Sequence, residues 1–195
     1  MNNIVQTLNK YPQHIEKRRF KTAETIFLEN DTCKSVGIVK TGEISIKSYF
    51  ANGKEVTYNT LKEGQMFGNN LIFSSTPRYR GDVIAQKESE IWFISKDNLL
   101  KLLKLDETFL LEYLTQQSDF SKTLNLKIKL LTISMAEDRL EYYLTFNKNK
   151  LTYESITKLA NELYLSRESL SRTITKLVKN RKIKKIGKTL ELVVQ

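Results

Sequence analysis

Arg167, Glu168, Ser171 and Arg172 stand at the start of a stretch, 167 to about 180, whose apolar residues Leu170, Ile174, Leu177 and Val178 recur at helical spacing. Ser166 before it is a residue type that caps helices. The chemistry open to these side chains is recognition by hydrogen bonding. An arginine fork matches guanine O6 and N7, and a glutamate accepts from cytosine N4. A helix entering the DNA major groove brings its N-terminal residues to the base edges. Lys184, Lys185 and Lys188 follow on a hairpin pattern in which residues 181–186 and 190–193 flank Gly187-Lys188. Lysines there would meet phosphates, which position a protein without reading sequence.

Other chemistries have little to stand on. The one histidine, His14, lies in a polar N-terminal segment, so a catalytic triad or a histidine metal site is not expected. The one cysteine, Cys33, forbids an internal disulfide and any cluster or zinc site built from several cysteines of one chain. Lys34 beside it would lower its pKa if the thiol were a redox sensor, although a passive small residue is the simpler role. No enzyme is expected. The net charge of +10 is uneven: from Asn147 onward nine lysines and three arginines face four glutamates, which accounts for +8. That asymmetry points to a polyanion-binding C-terminal region on a near-neutral remainder. No apolar run of membrane-spanning length is present and the N-terminus lacks a basic n-region, so a cytoplasmic protein with no membrane partner is expected.

Several elements must position those side chains. Thr152 is a candidate cap for a short helix carrying Ile156, Leu159, Ala160 and Leu163, and Tyr164-Leu165 makes a tight turn into the reading helix. Leu140, Tyr143 and Leu144 continue an apolar pattern upstream, and residues 147–150 read as a polar loop. Over 106–135, Leu110, Leu114, Gln117, Ser121, Leu124, Ile128, Leu131 and Met135 step alternately by four and three, a heptad seam on a long helix free of Gly and Pro. Phe109, Tyr113 and Phe120 form a second edge beside it, facing the protein's own chain. Between residues 20 and 94 the pattern changes to short strands near 24–28, 36–40, 43–50, 55–61, 80–85 and 88–94, cut by turns at 29–31, 41–42, 52–53 and 63–64. Asn52-Gly53 is a strong hairpin signal. Many short strands followed by helices imply an α+β chain with a sandwich, jelly roll or barrel first.

The run 37–44 (GIVKTGEI), then 52–56 (NGKEV), then 61–68 (LKEGQMFG) resembles the cyclic-nucleotide-binding β-roll of the CRP/FNR transcription regulators. The run 159–172 (LANELYLSRESLSR) is similar to the helix-turn-helix of the same family, with Tyr164 where the family has a turn glycine. The resemblance covers nearly the whole chain. It implies a β-roll sensor domain over 1–105, a dimerisation helix over 106–136 and a winged helix-turn-helix over 137–195. It also implies base contacts from Arg167, Glu168, Ser171 and Arg172, a TGA core in each half-site, and RNA polymerase as a further partner.

In the family's nucleotide pocket a Gly-Glu-Leu segment holds the ribose, and an Arg-Ser pair holds the cyclic phosphate. Here Gly68 is followed by Asn69; gapless alignment puts Tyr79 and Arg80 at the phosphate positions, and a one-residue insertion would restore Arg80 as the phosphate ligand with Gly81 at the serine position. Asn69 is uncharged and loses the charge-assisted contact. Among Gly68, Asn69, Tyr79 and Arg80 a cyclic nucleotide is therefore not the expected ligand. An iron–sulfur cluster is excluded and haem finds no axial pair. Arg78 and Arg80 either serve another anion or are solvated loop residues. The expected function is that of a homodimeric, sequence-specific regulator on a two-fold symmetric DNA site, answering to another effector or to none. The alternative is a ligand-binding module acting through a protein partner, in which Arg172→Ala leaves function intact. Effector, targets and sign of regulation are not legible.

Overall fold

The computed structural model describes residues 4–193; residues 1–3 and 194–195, at the ends of the first and last expected domains, lie outside the described residues. The chain divides into two compact units, 1–120 and 121–195. Each has its own apolar core.

The first unit begins with α1 (Ile4–Leu8) and a 3-10 turn at Pro12–His14. Then come β1 (Glu16–Phe20), β2 (Thr25–Phe27), β3 (Ser35–Thr41) and β4 (Glu43–Tyr49). β5 (Glu55–Lys62), β6 (Met66–Phe67), β7 (Asp82–Ala85), β8 (Ser89–Ser95) and α2 (Lys96–Leu105) follow. The strands make two four-stranded antiparallel sheets, ordered β1-β8-β3-β6 and β2-β7-β4-β5. This is the expected jelly-roll-like arrangement. β3 and β8 lie inside their sheet and are correspondingly near-continuous apolar runs, with Val36, Ile38, Val39, Ile91, Trp92, Phe93 and Ile94 buried. β5 is an edge strand that leaves Glu55, Thr57, Thr60 and Lys62 exposed, with the alternation broken at exposed Tyr58. Gly53 closes the β4–β5 hairpin at φ +77, its amide donating to the Phe50 carbonyl. Gly37 is needed for a different reason: a Cβ there would lie 2.1 Å from the Phe67 ring, which packs edge-on to Phe93 above it.

Two strands of this unit escaped expectation. β1 was read as polar N-terminal chain because four of its five residues are charged and exposed; it is an edge strand whose backbone pairs with β8. β6 is two residues long and shows no alternation to detect. The strand expected from Arg80 starts at Asp82. Gly81 before it comes so close to β4 that a Cβ would meet the Lys47 carbonyl at 2.6 Å.

α3 (Glu107–Thr132) is the expected long helix, but shorter than expected. It stops at Thr132, and Met135 adopts an extended backbone as N-cap of α4 (Ala136–Phe146). Met135, the last residue of the heptad pattern, therefore lies off the helix. The break has a local cause: the Ile133 carbonyl is taken by the Arg139 guanidinium instead of a helical amide. Phe109 and Tyr113 are buried on the inner edge as expected, but Phe120 is exposed.

The second unit holds α4, β9 (Lys150–Thr152), α5 (Ile156–Glu162), α6 (Arg167–Lys179), β10 (Ile183–Ile186) and β11 (Thr189–Leu192). Its sheet runs β10-β11-β9, all antiparallel. Leu140, Leu144, Leu159, Leu163, Leu170, Ile174, Leu177 and Leu190 form the core. Thr152 is not a helix cap: it sits in β9, its hydroxyl 2.9 Å from that of Thr189, and Ser155 caps α5 by accepting from the Lys158 amide. Val178, expected inward, is exposed.

Candidate nucleic-acid interface and sensor pocket

Ser166 Oγ accepts from the Ser169 amide and starts α6 where expected. The preceding turn passes through Tyr164 at φ +53, a left-handed conformation that costs a non-glycine residue about 1 kcal/mol. The turn is held by the Leu165 amide donating to the Ala160 carbonyl. With Leu170, Thr173, Ile174 and Leu177 buried, helical periodicity turns Arg167, Glu168, Ser171 and Arg172 to solvent, and all four are exposed. Among the described residues no ion pair engages Arg167, Glu168 or Arg172.

The neighbouring lysines contrast with these. Lys176 pairs with Glu137 at 3.0 Å and Lys182 with Glu141 at 2.9 Å, tying α6 and the segment after it to α4. The hairpin expected at the end of the chain is present, with Gly187 at φ +56 in its turn. Lys184 and Lys185 are exposed on β10, and Lys188 donates to the Glu154 carbonyl at 2.7 Å. Ile186 at the tip is 72% exposed. Among the described residues Arg167 and Arg172 at the start of α6 and Lys184 and Lys185 on the hairpin thus make no ion pair, while Lys176 and Lys182 are neutralised by α4. A donor-rich helix end with flanking lysines can bind a polyanion and distinguish base edges.

In the first unit the pocket candidates Gly68, Asn69 and Tyr79 come together and Arg80 does not. Tyr79 is 2% exposed and stacks on Phe27, with ring centroids 4.6 Å apart and planes 13° from parallel. A Cβ on Gly68 would meet Cys33 Sγ at 3.0 Å and the Tyr79 hydroxyl at 3.3 Å, so the space before Gly68 is filled by the chain itself. Burial pushes the Tyr79 hydroxyl far up, with the neighbouring Cys33 adding to it. Cys33 is buried too, and burial raises its thiol pKa. That is opposite to the lowering which Lys34 was expected to produce. Arg80 is exposed, its carbonyl accepting from Ser48 Oγ at 3.2 Å, and Arg78 donates to the Asn30 carbonyl at 2.9 Å.

Asn69 carries a partner that the sequence did not announce. Its Nδ2 donates to Gln117 Oε1 at 2.8 Å, while Gln117 Nε2 donates to the Asn69 carbonyl at 2.9 Å. The Tyr113 hydroxyl donates to the same carbonyl at 3.0 Å. The adjacent Gln116 accepts from the Met66 amide and donates to the Gly64 carbonyl. Gln117, counted into the heptad seam, is thus bonded to the loop at Asn69 of its own chain. The signal available was its polarity at a seam position. Leu114, Leu124, Ile128, Leu131 and Met135 are exposed, Leu110 is half-buried, and Ser121 is exposed between them. Among the described residues no group of three or more His, Cys, Asp or Glu side chains is placed to hold a metal, and no helix is long and apolar enough to cross a membrane.

Known proteins resemble both units. Residues 17–106 match the family described as cyclic nucleotide-binding domain. The anaerobic regulatory protein of Bacillus subtilis is 22% identical over 113 residues, 58% of this chain, and the match spans about half (48%) of that protein. A transcriptional regulator of Thermotoga maritima is 29% identical, with 64% of this chain and 97% of that one covered at a TM-score of 0.59. A CooA mutant from Carboxydothermus hydrogenoformans is similar along nearly the whole length, 98% of this chain and 91% of that one, at 19% identity and a TM-score of 0.69.

Proposed function

We propose that the chain is a transcription regulator of the CRP/FNR type that acts as a homodimer reading a two-fold symmetric DNA site without the help of a cyclic nucleotide. What carries this proposal is the uncommitted set Arg167, Glu168, Ser171 and Arg172 on a capped helix start, beside cations that α4 neutralises. Arg167 and Arg172 donate to guanine edges, Glu168 accepts from cytosine, and Lys184, Lys185 and Lys188 hold phosphates. Two copies joined along the exposed apolar positions of α3 present two such helices to half-sites about one helical turn apart. RNA polymerase is the further partner in this scheme. Catalysis has no part in this reading: one histidine and one cysteine give little basis for a nucleophile–base pair.

Independence from cyclic nucleotide is supported by the loop around Gly68. Tyr79 stands stacked where a phosphate-binding arginine is expected, and Asn69 spends its amide on Gln117. A ligand entering there would have to displace a buried aromatic ring and break a reciprocal amide pair, losing the packing and hydrogen bonds of both.

The test is fluorescence anisotropy of the full chain on a duplex selected from a randomised palindromic pool, against a scrambled duplex of equal length. A preference of a hundredfold or more at 150 mM salt is expected, and equal affinity for both duplexes overturns the DNA reading. Cyclic AMP at millimolar concentration should shift neither the melting temperature nor the operator affinity. A shift of several degrees overturns the pocket assignment alone.

A further inference from the structure

α3 and α5 both end with carbonyls turned toward a single guanidinium. Beyond the last residue of α3, the Ile133 carbonyl accepts from Arg139 Nε at 3.1 Å and also from Nη2. At the end of α5, the Leu163 and Tyr164 carbonyls accept from Nη1 at 3.1 and 2.9 Å. Arg139 is 9% exposed, and among the described residues no carboxylate pairs with it. A bare buried cation is costly, so what satisfies it matters. Here it is the partial negative charge of two helix C-termini, about half an elementary charge each, delivered through three carbonyls. Only arginine has the planar fork to reach them together, because lysine offers a single point of charge on a flexible stem.

The two ends it joins matter for the proposed DNA reading. Ile133 lies in the break between α3 and α4. Tyr164 is the left-handed residue of the turn into α6, two positions before the cap Ser166. The apolar core of this unit would hold α4, α5 and α6 together without Arg139, but apolar contacts are non-directional and do not fix an angle as a hydrogen-bonded fork does.

We infer that Arg139 is a positioning residue that sets the direction of the reading helix α6 from the end of α3. The turn before α6 is joined to the Ile133 carbonyl through this side chain, while the Lys176–Glu137 and Lys182–Glu141 pairs tie the later part of α6 and the segment after it to α4. A change at the α3–α4 break therefore reaches the start of α6 by way of Arg139. This role rests on the DNA reading proposed above.

Arg139→Lys and Arg139→Gln test it in the full chain, by hydrogen exchange without DNA and by anisotropy with the selected and scrambled duplexes. Both variants should lose protection at least tenfold at the Tyr164 and Leu165 amides, whose acceptors are the Asn161 and Ala160 carbonyls. The ratio of selected to scrambled affinity should fall at least tenfold, while affinity for the scrambled duplex stays within twofold. Lysine should recover melting temperature relative to glutamine without recovering that ratio. If Arg139→Gln does not fold, Arg139→Lys carries both readings. Unchanged exchange at the turn, or a ratio within twofold of the parent chain, overturns the inference. A parent chain with no duplex preference removes the DNA reading instead, and the exchange measurement still decides whether Arg139 holds the turn.

Discussion

Arg172 and Lys184 are exposed cations on neighbouring elements, and the physics of each differs. Arg172→Ala should cost about 1–3 kcal/mol on the selected duplex and little on a scrambled one, because a lost base contact removes discrimination. Lys184→Ala should weaken both duplexes alike and lower the slope of log affinity against log salt by about one. Anisotropy titrations at several salt concentrations separate the two. A third residue responds to pH. Tyr143 donates to Glu162 at 3.0 Å, and burial, reinforced by the Glu162 charge, pushes its pKa from 10.0 up to about 12. The folded state therefore holds this proton more tightly than the unfolded chain does. Its contribution is whole below pH 10 and disappears as pH rises from 10.0 toward about 12. Denaturant titrations of the chain should show that loss in this window, and Tyr143→Phe should flatten it. Residue by residue, the exposed placement of Arg167, Glu168, Ser171 and Arg172 on the capped start of α6 was legible because motif spacing and capping are local. Asn69–Gln117 and Arg139 were not, because both join residues distant in sequence, 48 positions apart in the first case and 24 or 25 in the second. A hint did exist: Arg139 is a charge set directly against the apolar positions Leu140 and Leu144.

At the scale of elements, α3 depends on its start. Asp106 Oδ1 accepts from the Phe109 amide at 2.9 Å, and Oδ2 accepts from the Tyr11 hydroxyl at 2.8 Å. Asp106→Ala should lower stability by about 1 kcal/mol, read as a fall in the denaturation midpoint. These same bonds, the backbone one foremost, hold the Asp106 carboxyl below its usual 3.8. Its contribution is present above that value and is lost as pH falls through the depressed one, so Asp106→Asn should make the acid limb shallower. Strand existence was legible where apolar and turn residues alternate, as in β3, β4, β5 and β8. It failed in β1, where a paired backbone carries solvent-facing charges, and in β9, where a short strand looked like a linker and a cap. The length of α3 was overread because nothing in residues 133–135 is a helix breaker by type. A side chain four residues further on decides the matter by taking the carbonyl of Ile133.

Across the molecule, each unit keeps a core of its own, while the exposed side chains Leu114, Leu124, Ile128 and Leu131 are left along α3. Paired with a second copy, these would be buried at about 25 cal/mol per Å² of apolar surface. Leu124→Glu with Ile128→Glu should therefore leave each chain folded and turn sedimentation from dimer to monomer, with operator affinity falling at least a hundredfold. A dimer that remained intact would remove α3 as the seam. Gln117 adds a consequence of its own. Bonded to Asn69, it offers the neighbouring chain little, and Ser121 offers little more, so the middle of the seam is thin. A pair joined so loosely forms by mass action, and below its dissociation constant the amount of competent protein rises as the square of the monomer concentration. In the proposed homodimer, gene dosage and turnover of the polypeptide would then set operator occupancy alongside any effector.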